Sequence, residues 1–419
     1  MPAVLFIVYF LLFGFWLTRM KMVKQCGLAL SMVFGLFTIK VLAGIAVGMA
    51  SHYLLQDKTD YYGTNLNGIV EYGSLINTPK VFFTDLFTSN YSERGEFFGS
   101  KSSYWNDLRF NIIYKILAFT NIFSRGNYYI NSLFFNFVSH LSTILLYRAF
   151  IDVYPSKKWS VIIGCFLLPS TLYFGSGIHK DLIVLTALSV FCYAVYFGLK
   201  QGFEWKKIIF LILSFLTILL VRNFIAVILL PCAVTWFISY KYKLSPLKSF
   251  ATLLMIGVLS TLVLHYGLKN GDPLQIVVNK QQAFFALGKA HTDFQMDTLQ
   301  PTIKSFVEQS PAALRHSFLS PYPTEFKNVY MNFFSIEMIA YWLLFLLMVF
   351  LSVKHKNTNK IFILFGITFA FLIFLFTGYI TPAAAALIRY RSIYLLFLVI
   401  PIICNIDWNR ILKRFNIKY

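Results

Sequence analysis

The chain has 419 residues, 58% of them hydrophobic and only 13% charged, with a mean hydropathy of +0.66. No soluble globular domain of this length combines so much apolar residue with so little charge, which leaves an all-α polytopic membrane protein. The formal charge of +20 sits in short Lys and Arg clusters between apolar runs, where orientation in a membrane accounts for it, so nucleic acid is not an expected partner.

Pro2–Thr18 is apolar and, at about 1.5 Å per residue, long enough to cross most of a hydrocarbon core of about 30 Å. It lacks the basic leader and small-residue cleavage site of a signal peptide and is followed by Arg19, Lys21 and Lys24, so it is taken as the first span. A second span runs from about Cys26 to Ala50, with Lys40 inside it. The basic turn between the two marks the cytoplasmic side and sends the next segment outside.

That segment, residues 51–126, is a long extracytoplasmic loop rich in acids, among them Asp57, Asp60, Glu71 and Asp85. Within it, Val81–Phe87 and Phe110–Phe123 are apolar on one face and too short or too polar to span, as expected of interfacial helices. Spans then follow at about Tyr129–Tyr147, Trp159–Phe174, Leu182–Leu199, Ile208–Val221, Phe224–Tyr240 and Phe250–Tyr266. Their connections are alternately basic (Arg148, Lys157, Lys158; Lys200, Lys206, Lys207; Lys241, Lys243, Lys248) and short or non-basic.

A second extracytoplasmic loop covers residues 267–335, and the last spans are expected at about Ile336–Val353, Ile361–Ile380 and Ser392–Cys404. A basic loop with Lys354, Lys356 and Lys360 separates the first two of these. The pattern predicts about eleven spans, a single integral-membrane domain and a cytoplasmic C-terminus. The five cysteines, Cys26, Cys165, Cys192, Cys232 and Cys404, show no metal-ligand spacing and are expected to be small core residues. No cofactor is indicated.

Charges placed where charge is costly are the candidate functional residues. Arg222 lies between two apolar runs, His179-Lys180-Asp181 closes a hairpin, and Arg389 and Arg391 precede the last span. Each has a plainer reading as a helix-end anchor at the membrane interface. Together, Lys180, Arg222, Arg389 and Arg391 are expected on one face, at the depth of a lipid phosphate, and arginine forks suit that ligand.

Several short motifs carry a resemblance. They are Asp60-Tyr61-Tyr62 at the head of the first loop, Pro169-Ser170 with Gly175-Ser176-Gly177-Ile178-His179-Lys180-Asp181, Pro321-Tyr322-Pro323-Thr324-Glu325, Glu337, and Arg389-Tyr390-Arg391. In these, and in its layout of loops, the chain resembles bacterial membrane glycosyltransferases of the GT-C superfamily. The resemblance implies inverting transfer of a sugar from a polyprenyl-phosphate donor to a glycan, lipid or protein acceptor outside the inner membrane, in the service of cell-envelope polysaccharide biosynthesis.

It also implies a base in the first loop, matching Asp60 best and Asp57 second, although the adjacent acidic pair found in many members is absent. Some members use a divalent cation. Such a transfer needs a carboxylate to take the acceptor's proton and cations for the departing lipid phosphate. Asp60 is therefore the candidate base, or else a loop acid or helix N-cap.

Lys180, Arg222, Arg389, Arg391 and His179 are the candidate phosphate ligands. Tyr61, Tyr62, Tyr390 and Glu337 are candidates for contact with substrate. A polysaccharide polymerase and a flippase of lipid-linked sugars are the other readings, the latter disfavoured by two long loops on one face and by the lack of repeats.

Overall fold

The computed structural model describes residues 2–54, 60–88, 104–267, 271–288, 292–323, 325, 329–353 and 359–414. Asp57, Thr324, Lys354 and Lys356 lie outside them. Among the described residues the chain is helical throughout, with isolated β-bridges in place of strands. Among the described residues nine helices are long and apolar enough to cross a membrane. The protein is an all-α, multi-pass membrane protein.

The chain divides into two units. The first holds residues 1–149, 172–198 and 203–224, the second residues 150–171, 199–202 and 225–419.

In the first unit, α1 (Pro2–Arg19) and α3 (Leu30–Met49) flank the short basic α2 (Lys21–Lys24), and α7 (Tyr128–Val153) packs on both. Phe13 of α1 stacks on Phe137 of α7 with centroids 4.5 Å apart. Gly44 brings α3 close to α7, since a β-carbon there would lie 2.3 Å from Asn136 Nδ2. The span-length α10 (Lys180–Gln201) and the shorter α11 (Trp205–Val221) complete the bundle.

The first loop is far more helical than its sequence suggests, with α4 (Asp60–Asn77), α5 (Pro79–Thr88) and α6 (Tyr104–Ser124). The expected apolar stretches fall inside α5 and α6. In contrast, α4 carries Gly63, Gly68 and Gly73 and several asparagines, residues that favour turns over helix interiors. Tertiary hydrogen bonds override that preference.

Asn131 of α7 donates to Asn65 Oδ1 of α4 at 2.9 Å and to Asn121 Oδ1 of α6 at 2.6 Å. Asn121 in turn donates to the Gly68 carbonyl at 2.9 Å, and Asn65 to that of Gly126 at 3.1 Å. All three asparagines are buried. Lys115 of α6 closes the other end, 2.7 Å from Asp85 and 3.3 Å from Glu71, with its ammonium 4.0 Å from the centre of the Phe82 ring.

Asn131→Ala is expected to lower stability by about 1–3 kcal/mol, because it takes the Asn131 donor from the buried Asn65 Oδ1 and leaves Asn121 Oδ1 with the Ser124 hydroxyl alone of its two donors. Thermal unfolding in detergent measures it. An unchanged transition would mean that α4 is held by apolar packing alone.

The second unit contains α8 (Lys158–Phe166) and the first half of α9 (Pro169–Phe174), followed by α12 (Asn223–Lys241) and α13 (Pro246–Gly267). Its loop helices are α14 (Pro273–Phe285) and α15 (Ile303–Leu314), and α16 (Val329–Phe350), α17 (Lys360–Ile380), α18 (Ala384–Asn405) and α19 (Trp408–Arg414) follow. Trp236, Phe362, Phe365 and Phe369 form its fully buried aromatic core, with Trp236 and Phe365 4.7 Å apart.

Side-chain caps start both loop helices. Asp272 accepts from the Leu274 N–H at 2.9 Å and Thr302 from the Ser305 N–H at 3.3 Å. Gln281, wholly buried, donates to the Tyr379 carbonyl at 3.0 Å and accepts from the Leu299 N–H at 2.8 Å, tying α14 and the following loop to α17.

Two of the sequence-derived spans take a different form. Trp159–Phe174 is divided at Pro169 into the nine-residue α8 and the six-residue α9, because proline cannot supply the main-chain N–H that a continuous helix needs there. Ile208–Val221 lies in the 17-residue α11, which stops at Arg222. All five cysteines are buried.

Candidate functional site

The site in the first unit is built on the turn between α9 and α10. Gly177 adopts φ +83°, a conformation open to glycine and strained for other residues. Its N–H donates to Asn136 Oδ1 at 3.1 Å. Lys40, buried in α3, donates to the Gly175 carbonyl at 2.8 Å. Ile178 is completely buried among Tyr61, Leu117, Tyr128 and Leu182. With the turn fixed at three points, His179 is delivered to the entrance of α10 in a defined place.

His179 stands between two carboxylates. Its Nδ1 lies 2.9 Å from Asp181 Oδ2, and its Nε2 lies 3.6 Å from Asp60 Oδ2. Asp181 is wholly buried, and its other oxygen accepts from Arg222 Nη2 at 2.6 Å. The four side chains thus form a continuous series from Asp60, 59% exposed at the first residue of α4, to Arg222 at the C-terminal end of α11.

The Asp181 N–H also points at Nδ1, at 3.2 Å. The two approaches exclude one another, since the N–H needs a lone pair on Nδ1 and the carboxylate needs a proton. The N–H contact has hydrogen-bond geometry, so Nδ1 serves as its acceptor and Asp181 Oδ2 approaches the same nitrogen as a neighbouring charge.

Aromatic rings surround the series. Tyr61 packs on His179 with centroids 4.7 Å apart, and Tyr62 stacks on Tyr128 at 4.6 Å and 10°. The Lys180 ammonium lies 3.4 Å from the centre of the Phe110 ring, a cation–π contact. Tyr114 receives a hydrogen bond from Asn67 at 3.2 Å. Burial, and to a smaller extent the charge of Asp60, raise its phenol above the ordinary value, so Tyr114 stays neutral beside the carboxylate. The helix N-terminus favours negative charge on Asp60.

Glu337, Arg389, Tyr390 and Arg391 belong to the second unit. Glu337 Oε1 accepts from the Ser170 N–H and hydroxyl, both at 2.9 Å, and from the Tyr341 hydroxyl. Arg391 is 2% exposed and donates to the main-chain carbonyls of Ser317, at 3.2 Å, and Ser320. Arg389 lies over Tyr390, its guanidinium carbon 5.2 Å from the ring centre, and is half-buried.

His316, near the turn that Arg391 grips, stacks on Phe294 at 4.2 Å. Burial, with Arg315 adding to it and Glu325 opposing, holds its imidazole below the ordinary value and therefore neutral.

Of the residues singled out from sequence, Asp60, Tyr61, His179 and Arg222 come together directly, with Lys180 and Tyr62 beside them. Asp57 lies outside the described residues. Asp181, singled out from sequence only as part of a charged hairpin, emerges as the hub of the series. Lys40 and Asn136 were not singled out as turn holders. An ammonium inside an apolar run was the available signal for Lys40, since such a group must find a partner.

Among the described residues no group of three or more His, Cys, Asp or Glu side chains is arranged to hold a metal. The two nitrogens of His179 face different carboxylates and so do not converge on one ion.

Fold and site define a multi-pass helical membrane protein with a partly buried carboxylate–imidazole–carboxylate–guanidinium series. No protein-family model, curated protein or solved structure matches the chain.

Proposed function

We propose that the protein is an inverting membrane glycosyltransferase of the GT-C type, transferring a sugar from a polyprenyl-phosphate donor to an extracytoplasmic glycan, lipid or protein acceptor. It sits in the bacterial inner membrane with its C-terminus in the cytoplasm. The observation that carries the reading is the exposed carboxylate of Asp60, backed 3.6 Å away by a histidine whose far side is fixed by Asp181 and Arg222. An exposed acid beside buried, oriented polar groups is an arrangement suited to taking a proton from an acceptor hydroxyl.

In this reading Asp60 accepts the hydroxyl proton as the acceptor oxygen attacks the anomeric carbon, and the phosphate leaves with the electron pair of the broken bond. Lys180 meets the lipid phosphate in the first unit, where Arg222 is committed to Asp181. In the second unit, Arg389 is half-buried whereas Arg391 is committed to main-chain carbonyls, so Arg389 is the better suited of those two to an anionic ligand. Tyr61 and Tyr62 border the sugar.

The test is transfer from polyprenyl-phosphate sugars by the purified protein in liposomes. Asp60→Asn is expected to slow transfer by about 100-fold or more while leaving the thermal transition in place, as befits an exposed side chain. A wild-type protein that transfers from none of these donors sinks the reading. Long glycan ladders made from lipid-linked repeat units would point to a polymerase, and movement of the intact donor across the bilayer to a flippase.

A further inference from the structure

We infer that the turn joining α6 to α7 binds the phosphate of a membrane lipid, with Arg125 as its ligand and the first turn of α1 beneath the headgroup. The site is independent of the transferase reading.

A cavity of about 310 Å³ lies there, lined by Pro2 and Leu5 of α1 and by Ser124, Arg125, Gly126 and Asn127 of the turn. That volume is at the small end for ligand pockets, a size that takes a headgroup and leaves the chains outside. One wall is apolar and the other carries a cation, which suits a ligand that is charged at one end only. Its depth follows from α1, which is long and apolar enough to cross a bilayer. Eighteen residues at about 1.5 Å each cover most of a hydrocarbon core of about 30 Å, so the first turn of α1 stands at one edge of that core, where headgroups begin.

Arg125 is held at this depth by an uncommon backbone. Its φ is +53° and that of Gly126 is +80°. The position just past a helix end that turns left-handed normally belongs to glycine, because a β-carbon is strained there. Gly126 adopts the conformation freely, whereas Arg125 adopts it against its own preference. Snorkelling, the ordinary duty of an arginine at the interface, can be met from any helical position and needs neither the strain nor a cavity. A side chain kept in a strained place points to a use for that side chain.

The guanidinium is available for such a use. Arg125 is exposed, and its main-chain N–H donates to the Asn121 carbonyl at 2.9 Å. Among the described residues no carboxylate lines the cavity. The N-terminal end of α7 is satisfied by the protein itself, since Asn127 Oδ1 accepts from the N–H groups of Tyr129 at 3.0 Å and Ile130 at 3.2 Å. Arg125 is therefore the group on the cavity wall that answers a phosphate, and its fork of donors matches phosphate oxygens. The turn behind it is fixed, because the Gly126 carbonyl accepts from Asn65 of α4 at 3.1 Å and a β-carbon at Gly126 would lie 3.1 Å from Ile69 Cδ1.

Apolar surface continues from the cavity along both helices. Val8 and Leu12, three and seven residues on from Leu5 and so on its side of α1, are exposed, as are Ile122 and Phe123 in the last turn of α6. The Tyr9 hydroxyl, 3.4 Å from the Phe123 carbonyl, joins the two surfaces. Chains hanging from a headgroup in the cavity would lie on these residues. A resident anionic phospholipid and a polyprenyl phosphate share this chemistry.

Native mass spectrometry of the full chain in detergent tests the site. The probes are a phosphatidylglycerol, a polyprenyl phosphate, and a diacylglycerol that has chains but no phosphate. Wild type is expected to bind a phosphate-bearing probe about tenfold or more tightly than the diacylglycerol, as for a charge-assisted contact. Arg125→Gly is expected to lower that affinity by about tenfold and yet to melt no lower than wild type in delipidated detergent, because glycine relieves the left-handed position. Leu5→Trp, which fills the apolar wall and keeps Arg125, is expected to exclude the probe as well.

A preference for phosphatidylglycerol assigns the site to a resident phospholipid and a preference for polyprenyl phosphate assigns it to a lipid carrier, and both uphold a lipid-phosphate site. Diacylglycerol bound as tightly as the phosphate probes overturns it, as does undiminished binding by a folded Arg125→Gly or Leu5→Trp. A protein that binds lipid through Arg125 but transfers no sugar keeps this site and loses only the transferase reading.

Discussion

Asp181→Ala is expected to destabilise the protein by about 3–5 kcal/mol, the usual cost of stripping one partner from a buried ion pair. Asp181 is wholly buried and Arg222 is 13% exposed, and their contact is 2.6 Å. Alanine takes from the Arg222 guanidinium, between α11 and α12, the carboxylate it contacts, and takes from His179 the charge beside its Nδ1. It also frees the imidazole to turn away from Asp60, so transfer is lost together with stability.

A second pair of variants separates those effects. Asp181→Asn keeps the volume and one acceptor oxygen, so it loses charge but not shape. Replacing Asp181 and Arg222 together by leucine removes both charges, and the double variant is expected to be more stable than Asp181→Ala, since neither desolvation cost remains. Thermal unfolding in a fixed detergent reads all three. A loss below about 1 kcal/mol for Asp181→Ala would show that water reaches the pair and screens it.

The long apolar runs were legible because a bilayer imposes length and composition directly, and nine helices long and apolar enough to span are present among the described residues. The turn at Gly175–Asp181 was legible for the same reason, as charge stands out against an apolar background. What stayed hidden depends on partners distant in sequence. Nothing local marks α4 as helical, because its stability comes from Asn131, more than fifty residues beyond Asn65 in the chain.

Nor does local sequence pair Lys40 with Gly175, 135 residues away. The division at Pro169 was legible in principle, and hydropathy obscured it. The series from Asp60 to Arg222 needed three separate segments brought to one place. From sequence these residues were only costly charges presumed to share a face.

Arg391→Leu is expected to cost about 3–5 kcal/mol, whereas Arg389→Ala is expected to cost less than about 1 kcal/mol and to raise the KM for a lipid-phosphate donor. The sequence Arg389-Tyr390-Arg391 groups the two as one cationic motif. In a helix, residues two apart are turned by about 200° around the axis and do not face the same way.

Arg391, 2% exposed, spans the carbonyls of Ser317 and Ser320, and its charge also acts on Glu337. Leucine would orphan those carbonyls and leave Glu337 without its cation. Lysine would keep the charge but not the fork, and a single ammonium reaches two carbonyls three residues apart less well, so Arg391→Lys is expected to cost about 1–3 kcal/mol.

Unfolding measurements in detergent, set beside donor KM for each variant, distinguish the roles. Arg391 variants should lose stability first and activity only in proportion to unfolded protein, while Arg389→Ala should melt like wild type. An Arg391→Leu protein that melts like wild type but no longer binds donor would reverse the assignment and place the guanidinium of Arg391 on the phosphate.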